Sequence, residues 1–507
     1  SDKQKKVPPV KPALIKLEWT RPGRVGEVIP SRYLTTARFP ETFAVSAPFP
    51  PDDRSIGYER GTSVSKTWEE ATTEGAIETA DYVHEHLNRL ADTRTGNDDR
   101  PEKLKDFALR FAERAFRRPL NDDLRAVYVD RQFEAASDPE AAVKRVVLLA
   151  MKSPRFLYPE LNPESSEHDQ YAIATRIALE LWDSLPDRAL LDAARDGKLS
   201  TPDEVARQAE RMLKDLRAKS KLSGFFQHYL ALDRGTELAK DFEKYPDFDE
   251  AIVSDLKESL ALFLDEVAWS DNPDYRQLFR SDEVYLNGRL AKFYGADLPE
   301  DAPFQKVRLN PEARAGVLSH PYLMANFAYT STTSPIHRGV FLVKGVLGRT
   351  LLPPPDAFSP LSPTLHPDLT TRERVTLQTS PESCAKCHTM INALGFSLEH
   401  FDAVGRYQEK EKDRAIDASG SYETLSGEKV TFDGAPGLAD FLCSSPEVQD
   451  AFAEAMFHHL VKQPVAAFGP KMKQELRSAF ADSGFQIRKL MVEIVKRTAL
   501  TARDSQG

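Results

Sequence analysis

Two cysteines and a histidine stand close together at one point of the chain, in the string Ser383-Cys384-Ala385-Lys386-Cys387-His388. In this spacing each thiol can add to one vinyl group of a haem, and the histidine that follows is placed beneath the iron. The C-x-x-C-H motif therefore predicts one covalently attached c-type haem, held by Cys384 and Cys387, with His388 as the proximal iron ligand. Such attachment takes place outside the cytoplasmic membrane, so we expect a periplasmic or otherwise extracytoplasmic, exported protein.

Three other interpretations of the motif compete with haem attachment. A thioredoxin-like redox pair requires a strand that leads into a helix, and the sequence lacks that context. A zinc site requires a second Cys/His pair, but the third cysteine, Cys443, stands alone and is expected to be a buried, inert thiol. A disulfide or a free thiol pair is the remaining alternative. Because the thioredoxin and zinc interpretations lack their required context, the haem interpretation is favoured.

The elements that must position these residues are mostly helices. Thr201, Pro202 and Glu204 predict a capped helix start, and the apolar residues that follow fall on one face, namely Val205, Ala209, Met212, Leu213 and Leu216. Helical spacing also marks the segments 103–117, 140–152, 169–183, 252–269, 338–348 and 447–462. A stretch at 416–432, punctuated by glycines, predicts one small β-hairpin. We therefore predict an all-α, multi-domain protein with an embedded cytochrome c-like domain.

Breaks rich in proline and acidic residues separate the helical segments. The longest of them, at 351–370, is expected to be stiff and extended and to lead into the haem motif. The predicted divisions are a linker (1–29), a small N-terminal domain (30–97), a small helical domain (98–164), a large helical domain (165–297), the haem domain (298–412) and a C-terminal helical domain (413–507).

Several longer strings resemble one family. They are CAKCHTMINALGFSLEHFDAVGRY around the motif, and the segments at 49–59, 112–120, 171–213, 314–356 and 432–461. They resemble the large multi-domain c-type cytochrome proteins abundant in planctomycetes, which are built from consecutive domains of unknown function. Many members carry an additional N-terminal cytochrome domain with its own C-x-x-C-H motif. This sequence has one such motif and departs from those members, so we expect a single haem and no two-haem electron path within the chain.

The residue on the distal side of the iron decides between electron transfer and chemistry on a small ligand. Candidates for the distal side are His320, His337, His400, Met324 and Met390. His320 ranks first because the family frequently has histidine at that place, although a helix-end histidine is the alternative. Met390 is too close in sequence to His388 to reach across the haem, and Met324 lies on an apolar face typical of a core.

Two arginines are candidates for the haem propionates, whose charge favours guanidinium partners. Arg338 and Arg406 lie in segments that resemble the haem-domain signatures of the family. The alternative is a structural arginine–carboxylate pair, for example Arg406 with Asp402. Glu399 and Asp402 lie three residues apart, a spacing that could support acid–base chemistry, but we expect them on a solvated face.

Composition limits the partners. The 507 residues carry a net charge of −10 and contain 41% hydrophobic residues, which argues against nucleic acid and anionic membranes as partners. No apolar run reaches the ~18 residues of a transmembrane segment.

The chain is far longer than the ~100 residues that can enclose one haem. We therefore expect a haem-dependent oxidoreductase, or its electron-accepting subunit, with a redox partner protein and a small-molecule or carbohydrate-type substrate. A non-catalytic electron-transfer or scaffold subunit, and a binding module with a structural or sensory haem, remain alternatives.

Overall fold

In a computed structural model the protein consists mainly of α-helices. The structure describes residues 17–20, 25–29, 34, 41–54, 59, 64–159, 169–232, 238–351 and 366–501. The first seven helices are α1 (Lys66–Glu85), α2 (Leu87–Leu90), α3 (Arg100–Phe116), α4 (Asp122–Arg125), α5 (Arg131–Ala135), α6 (Pro139–Lys152) and α7 (Pro154–Leu157). The next seven are α8 (Gln170–Trp182), α9 (Arg188–Arg195), α10 (Pro202–Met212), α11 (Leu216–Tyr229), α12 (Glu250–Trp269), α13 (Gln277–Arg280) and α14 (Gly288–Tyr294). The last eight are α15 (Pro321–Asn326), α16 (Pro335–Phe341), α17 (Thr371–Gln378), α18 (Glu382–Phe396), α19 (Gly434–Ser444), α20 (Pro446–Val461), α21 (Met472–Asp482) and α22 (Ile487–Thr498).

Short segments of tighter or wider helix join some of these elements. Among the described residues, two are π-helical, at Ala126–Asp130 and Leu342–Val346, and two are 3₁₀-helical, at Gly316–Ser319 and Val465–Phe468. The first π segment joins α4 to α5, and the second continues α16. Pro335 begins α16, where a missing N–H is tolerated.

Antiparallel two-stranded sheets make up the β structure of the described residues. The strands are β1 (Glu18–Trp19), β2 (Glu27–Val28), β3 (Glu283–Leu286), β4 (Gln305–Arg308), β5 (Lys410–Glu411), β6 (Arg414–Ala415), β7 (Ser419–Glu423) and β8 (Lys429–Asp433). They pair in sequence order, each odd-numbered strand with the next. The hairpin predicted at 416–432 is confirmed as β7–β8, in which Ser419 pairs with Asp433 and Glu423 with Lys429.

The helices have two main apolar cores. In the smaller one, α6 packs against α1 and α3 through residues such as Ala80, Leu104 and Val143. The larger core is continuous from Ile173 in α8 to Ala499, just after α22. Helices α16 and α18 both contribute to the larger core, so it supports the segment that carries the C-x-x-C-H motif.

The helical predictions are confirmed, with one local exception. Thr201 and Glu204 form the expected capping box at the start of α10, and Val205, Ala209 and Met212 are buried. Leu216, however, is exposed, and its assignment to the same face was wrong. The Asp215 side chain accepts a hydrogen bond from the Arg217 N–H and starts a new helix there, so the periodicity of α10 does not continue.

The structure does not test the predicted N-terminal linker or the predicted stiff segment before the motif. Most of the predicted linker at 1–29 and of the proline-rich segment at 351–370 lies outside the described residues. Within the described part of the chain, each helix is too short or too polar to cross a bilayer.

Candidate functional site

The C-x-x-C-H motif lies in the first two turns of α18. Thr370 and Glu373 form a capping box that starts α17; α17 ends at Gln378, and Pro381 then precedes α18. Because the motif is helical, Cys384, Cys387 and His388 occupy positions i, i+3 and i+4. These positions lie on one side of an α-helix, so the fold directs both thiols and the imidazole toward the same side.

The three side chains differ in exposure. Cys384 is buried, Cys387 is exposed and His388 is half-buried. All three cysteines of the chain, including Cys443, are free thiols. A helix with one accessible thiol and a neighbouring thiol one turn away is compatible with a planar group lying along this side of α18.

His388 is oriented by a hydrogen-bonded chain. Its Nδ1 lies 3.1 Å from Oδ1 of Asn392, and Nδ2 of Asn392 donates to the Thr379 hydroxyl at 2.8 Å. That hydroxyl in turn donates to the carbonyl oxygen of Val375 at 2.7 Å. Since the amide nitrogen of Asn392 faces Thr379, its oxygen faces the imidazole and requires a proton on Nδ1.

With the proton on Nδ1, the lone pair on Nε2 of His388 is available to bind a metal. A histidine whose other ring nitrogen donates a hydrogen bond is the usual form of a metal ligand. The structure thus contains the residues that a c-type haem needs, namely two thiols on one side of a helix and an imidazole fixed in the ligating tautomer. Asn392 and Thr379 are not among the residues predicted from the sequence, although an asparagine four residues after the histidine is a visible signal.

Close backbone contacts fix the position of α18. A Cβ atom at Gly395 would lie 1.9 Å from the carbonyl oxygen of Pro335, and one at Gly339 would lie 2.0 Å from that of Ile391. On the other side, a Cβ at Gly420 in β7 would lie 2.3 Å from the carbonyl oxygen of Ala393. Only glycine permits such approaches, so α16 and β7 hold α18 through its main chain.

Arg338 is fully buried and binds the turn that follows α18. Its guanidinium donates to the carbonyl oxygens of Leu398, Phe401 and Asp402 at 2.8, 2.9 and 3.0 Å, and to Oε1 of Glu399 at 3.1 Å. These contacts are those of a structural arginine paired with a carboxylate, the alternative to propionate binding. A propionate role for Arg338 stays a prediction that its contacts do not support.

Glu399 is buried, so its expected place on a solvated face was wrong. The Thr333 hydroxyl donates to Oε2 at 2.7 Å, opposite the contact with Arg338. Burial raises the pKa of Glu399 to about 7, although Arg338 and Thr333 act to lower it. Glu399 also borders a cleft of about 630 Å³ between α17 and the β5–β6 hairpin. The turn that follows α18 thus places an ionisable carboxyl at this cleft.

His320 lies at the start of α15, away from the surface. Its Nδ1 accepts the Tyr322 N–H at 3.3 Å, and its Nε2 lies 3.2 Å from the Ser259 hydroxyl. Burial, with a smaller contribution from Arg314, lowers the pKa of His320 to about 3. Both ring nitrogens therefore have protein partners in this structure. A role for His320 as the distal iron ligand stays a prediction.

The other candidates lie apart from one another in the segment 324–406. The Arg406 guanidinium lies 4.0 Å from the ring centroid of Phe293. The Asp402 carboxylate accepts a hydrogen bond from the main-chain N–H of Arg406. Binding of a haem propionate by Arg406 also stays a prediction. Met324 is part of the core, as expected. His337 is exposed, and Nδ1 of His400 lies 2.9 Å from the carbonyl oxygen of Gln408.

Cys443 is buried at the end of α19. Its thiol lies 3.6 Å from the carbonyl oxygen of Arg276, and burial raises its pKa to about 11. This confirms the expected buried thiol. In the described ranges, no three His, Cys, Asp or Glu side chains are grouped so that they could hold a metal ion.

Family models match two consecutive segments in the middle of the chain. No curated protein and no solved structure matches the chain. Residues 169–296 match the family model described as PSD4, protein of unknown function (DUF1592). Residues 314–411, which include the motif, match the model described as PSCyt3, protein of unknown function (DUF1588). The chain thus contains two consecutive domains of unknown function, the second under a cytochrome-like name.

Proposed function

We propose that the chain is an exported mono-haem c-type cytochrome that acts as an oxidoreductase or as its electron-accepting subunit. The observation that carries this proposal is the side of α18 on which Cys384, Cys387 and His388 lie together, with Nδ1 of His388 held by Asn392. Each thiol would add its S–H across one vinyl double bond, which yields two thioether links. His388 would bind the iron through Nε2.

The haem, once bound, would supply one-electron chemistry, while the chain supplies position and partners. Arg338 and the glycine contacts of α16 keep α18 in place, and Asn392 keeps the His388 ring in one tautomer. The large helical body gives surface for a redox partner protein, which is why we favour an enzyme or its subunit over a small carrier. The cytochrome-like name of the matching second model is consistent with this proposal.

The first experiment is production of the full chain in a host with haem-maturation machinery. We expect a c-type pyridine haemochrome spectrum and a mass increase of one haem. The double variant Cys384→Ser/Cys387→Ser should lose the covalent haem, whereas Cys443→Ser should keep it because that thiol is buried at the end of α19. Wild-type protein without haem under these conditions would overturn the proposal.

The same material separates catalyst from electron carrier. A low-spin spectrum in both redox states would indicate a strong sixth ligand and favour the non-catalytic electron-transfer subunit. A high-spin spectrum that responds to cyanide would indicate an open iron and favour the oxidoreductase. His320→Ala should convert a low-spin spectrum to high-spin if His320 is the sixth ligand, and should leave it unchanged if His320 only caps α15.

A further inference from the structure

We propose that an exposed surface near the start of the chain is a docking site for a partner protein, and that it binds a basic, partly apolar segment of that partner. The surface, which we call the N-terminal surface, consists of residues 43–49 and of the side of α1 that carries Glu74, Glu78, Tyr82 and Glu85. It lies outside the larger core that supports the C-x-x-C-H motif, so the proposal does not depend on haem.

Residues 43–46 lie along α1 and are held there by specific contacts. The Phe43 ring stacks on the Tyr82 ring, with 4.4 Å between the two centroids. Both the main-chain N–H and the hydroxyl of Ser46 donate to the Glu78 carboxylate, at 2.7 and 2.8 Å. Since Glu78 and Tyr82 are one helical turn apart, the segment follows the helix axis. A partner would therefore meet a preformed surface, and less conformational entropy is lost on binding.

Apolar side chains of this segment are open to solvent. The exposed fractions of Phe43, Val45 and Phe49 are 37%, 38% and 55%. Single exposed apolar residues are common on protein surfaces, but several of them close together mark an interaction site. Two phenylalanines in one short segment also match the enrichment of aromatic residues in the cores of protein interfaces.

The main chain of the same segment is open to a partner. In the described part of the chain, the N–H and C=O groups of Phe43, Ala44 and Val45 have no protein hydrogen-bond partner. All three residues are exposed, so water satisfies these groups in the free protein. An extended peptide can pair with such a segment through main-chain hydrogen bonds, while its alternate side chains make apolar contacts.

The charges of α1 favour a basic partner. The helix carries six carboxylates and a single lysine, namely Glu69, Glu70, Glu74, Glu78, Asp81, Glu85 and Lys66. Glu74 and Glu85 lie on either side of the turn that contacts residues 43–46; both are exposed and form no ion pair with another described residue. Carboxylates four residues apart on a helix repel one another, and cationic side chains of a partner would relieve this repulsion.

The cations at the border of the N-terminal surface are already paired. Lys144 forms an ion pair with Asp81, and Arg89 forms one with Glu41. The surface therefore keeps an excess of negative charge, which attracts a basic segment and repels an acidic one.

The test is fluorescence anisotropy of the full chain with labelled heptapeptides that alternate Lys with Val, Lys with Ser, or Glu with Val, at about 0.15 M salt. We expect the Lys–Val peptide to bind with a Kd of about 100 µM or less. The Lys–Ser peptide should bind about tenfold more weakly because it lacks apolar side chains, and the Glu–Val peptide should not bind. The Lys–Val peptide should also slow amide hydrogen exchange at residues 43–45, whose N–H groups it would engage.

Two variants locate the binding site. Phe49→Ser removes the most exposed apolar side chain of the segment, and Glu74→Lys reverses one unpaired charge. Each should weaken binding of the Lys–Val peptide about tenfold. A lysine at position 74 would lie one turn from Glu70 and from Glu78, which favours the helix, so both variants should keep the wild-type melting temperature and lost binding cannot be attributed to misfolding.

Phe242→Ser is the matched control. Phe242 is 76% exposed and precedes the exposed Glu243, so it has the same local chemistry but lies outside the N-terminal surface. This variant should bind the Lys–Val peptide like the wild type. Absence of Lys–Val binding, equal binding of the Lys–Ser peptide, binding that survives both Phe49→Ser and Glu74→Lys, or unchanged hydrogen exchange at residues 43–45 would overturn the proposal.

Discussion

The Nδ1 atom of His388 lies 3.1 Å from Oδ1 of Asn392, one helical turn further along α18. The Thr379 hydroxyl holds the asparagine amide from the other side at 2.8 Å. The orientation of the proposed iron ligand is therefore set by α18 itself and by the end of α17. A hydrogen-bond acceptor on Nδ1–H increases the basicity of Nε2, which stabilises ferric iron more than ferrous iron.

Replacing this acceptor should change the redox potential without releasing the haem. In Asn392→Ala both cysteines remain, so we expect normal covalent attachment. The midpoint potential should rise by about 60 mV, which corresponds to a tenfold change for one electron. Spectroelectrochemical titration measures the shift. Thr389→Ala is the control, because the Thr389 hydroxyl only donates to the carbonyl of Ala385 in its own helix; an equal shift in both variants would contradict the assigned role of Asn392.

Glu399 should make the stability of the protein depend on pH. Its pKa is about 4.5 in an ordinary environment and about 7 in the fold, because of burial. The folded chain then holds a proton that the unfolded chain releases, so the Glu399 contribution to stability is complete below pH ~4.5 and falls as pH rises to about 7. At 1.36 kcal/mol per pKa unit the total loss is about 3 kcal/mol.

Denaturant titrations of the wild type and of Glu399→Gln at several pH values test this expectation. The difference between the two curves should slope between pH ~4.5 and ~7 and become flat above that range. His320 and His459 have pKa values lowered to about 3, mainly by burial, and contribute slopes of the opposite sign, but both are unchanged in the variant. The exposed Glu409→Gln variant controls for the loss of one charge. A flat difference curve for Glu399→Gln would show that Arg338 keeps the carboxylate ionised.

The contact between α16 and α18 should not tolerate a side chain at Gly395. A methyl group there would meet the main chain of Pro335 at 1.9 Å, and a main-chain atom cannot move aside as a flexible side chain can. We expect Gly395→Ala to lower the free energy of unfolding by about 3 kcal/mol or more. Chemical denaturation measures the change.

Gly224 offers the matched control for this substitution. It lies in α11, and a methyl group at Gly224 would meet only the His459 ring at 3.7 Å, an ordinary contact. Gly224→Ala should therefore be neutral or stabilising by up to about 1 kcal/mol, because alanine favours helix. If the two variants were equally stable, the close packing of α16 against α18 would be wrong.

Local features were predictable from the sequence, and contacts between distant segments were not. The capping box of Thr201 and Glu204 depends on residues three apart, and β7–β8 depends on one turn, so both follow from local patterns. The burial of Glu399 depends on Arg338, which is 61 residues earlier in the chain. No periodicity links these two positions, so the sequence does not reveal that Glu399 is buried. The approach of Gly395 to Pro335 is non-local in the same way.

The two motif cysteines should react at different rates before haem is attached. Cys387 is exposed, whereas Cys384 and Cys443 are buried, and burial raises the pKa of Cys443 to about 11. Thiolates react far faster than thiols, and only where reagent can reach them. In chain produced without haem maturation, brief iodoacetamide treatment followed by peptide mass mapping should modify Cys387 first. In matured chain neither Cys384 nor Cys387 should react, even after unfolding, because both sulfurs are thioethers, while Cys443 should become reactive on unfolding. Modification of Cys387 in unfolded, matured protein would mean that the second thioether is not formed.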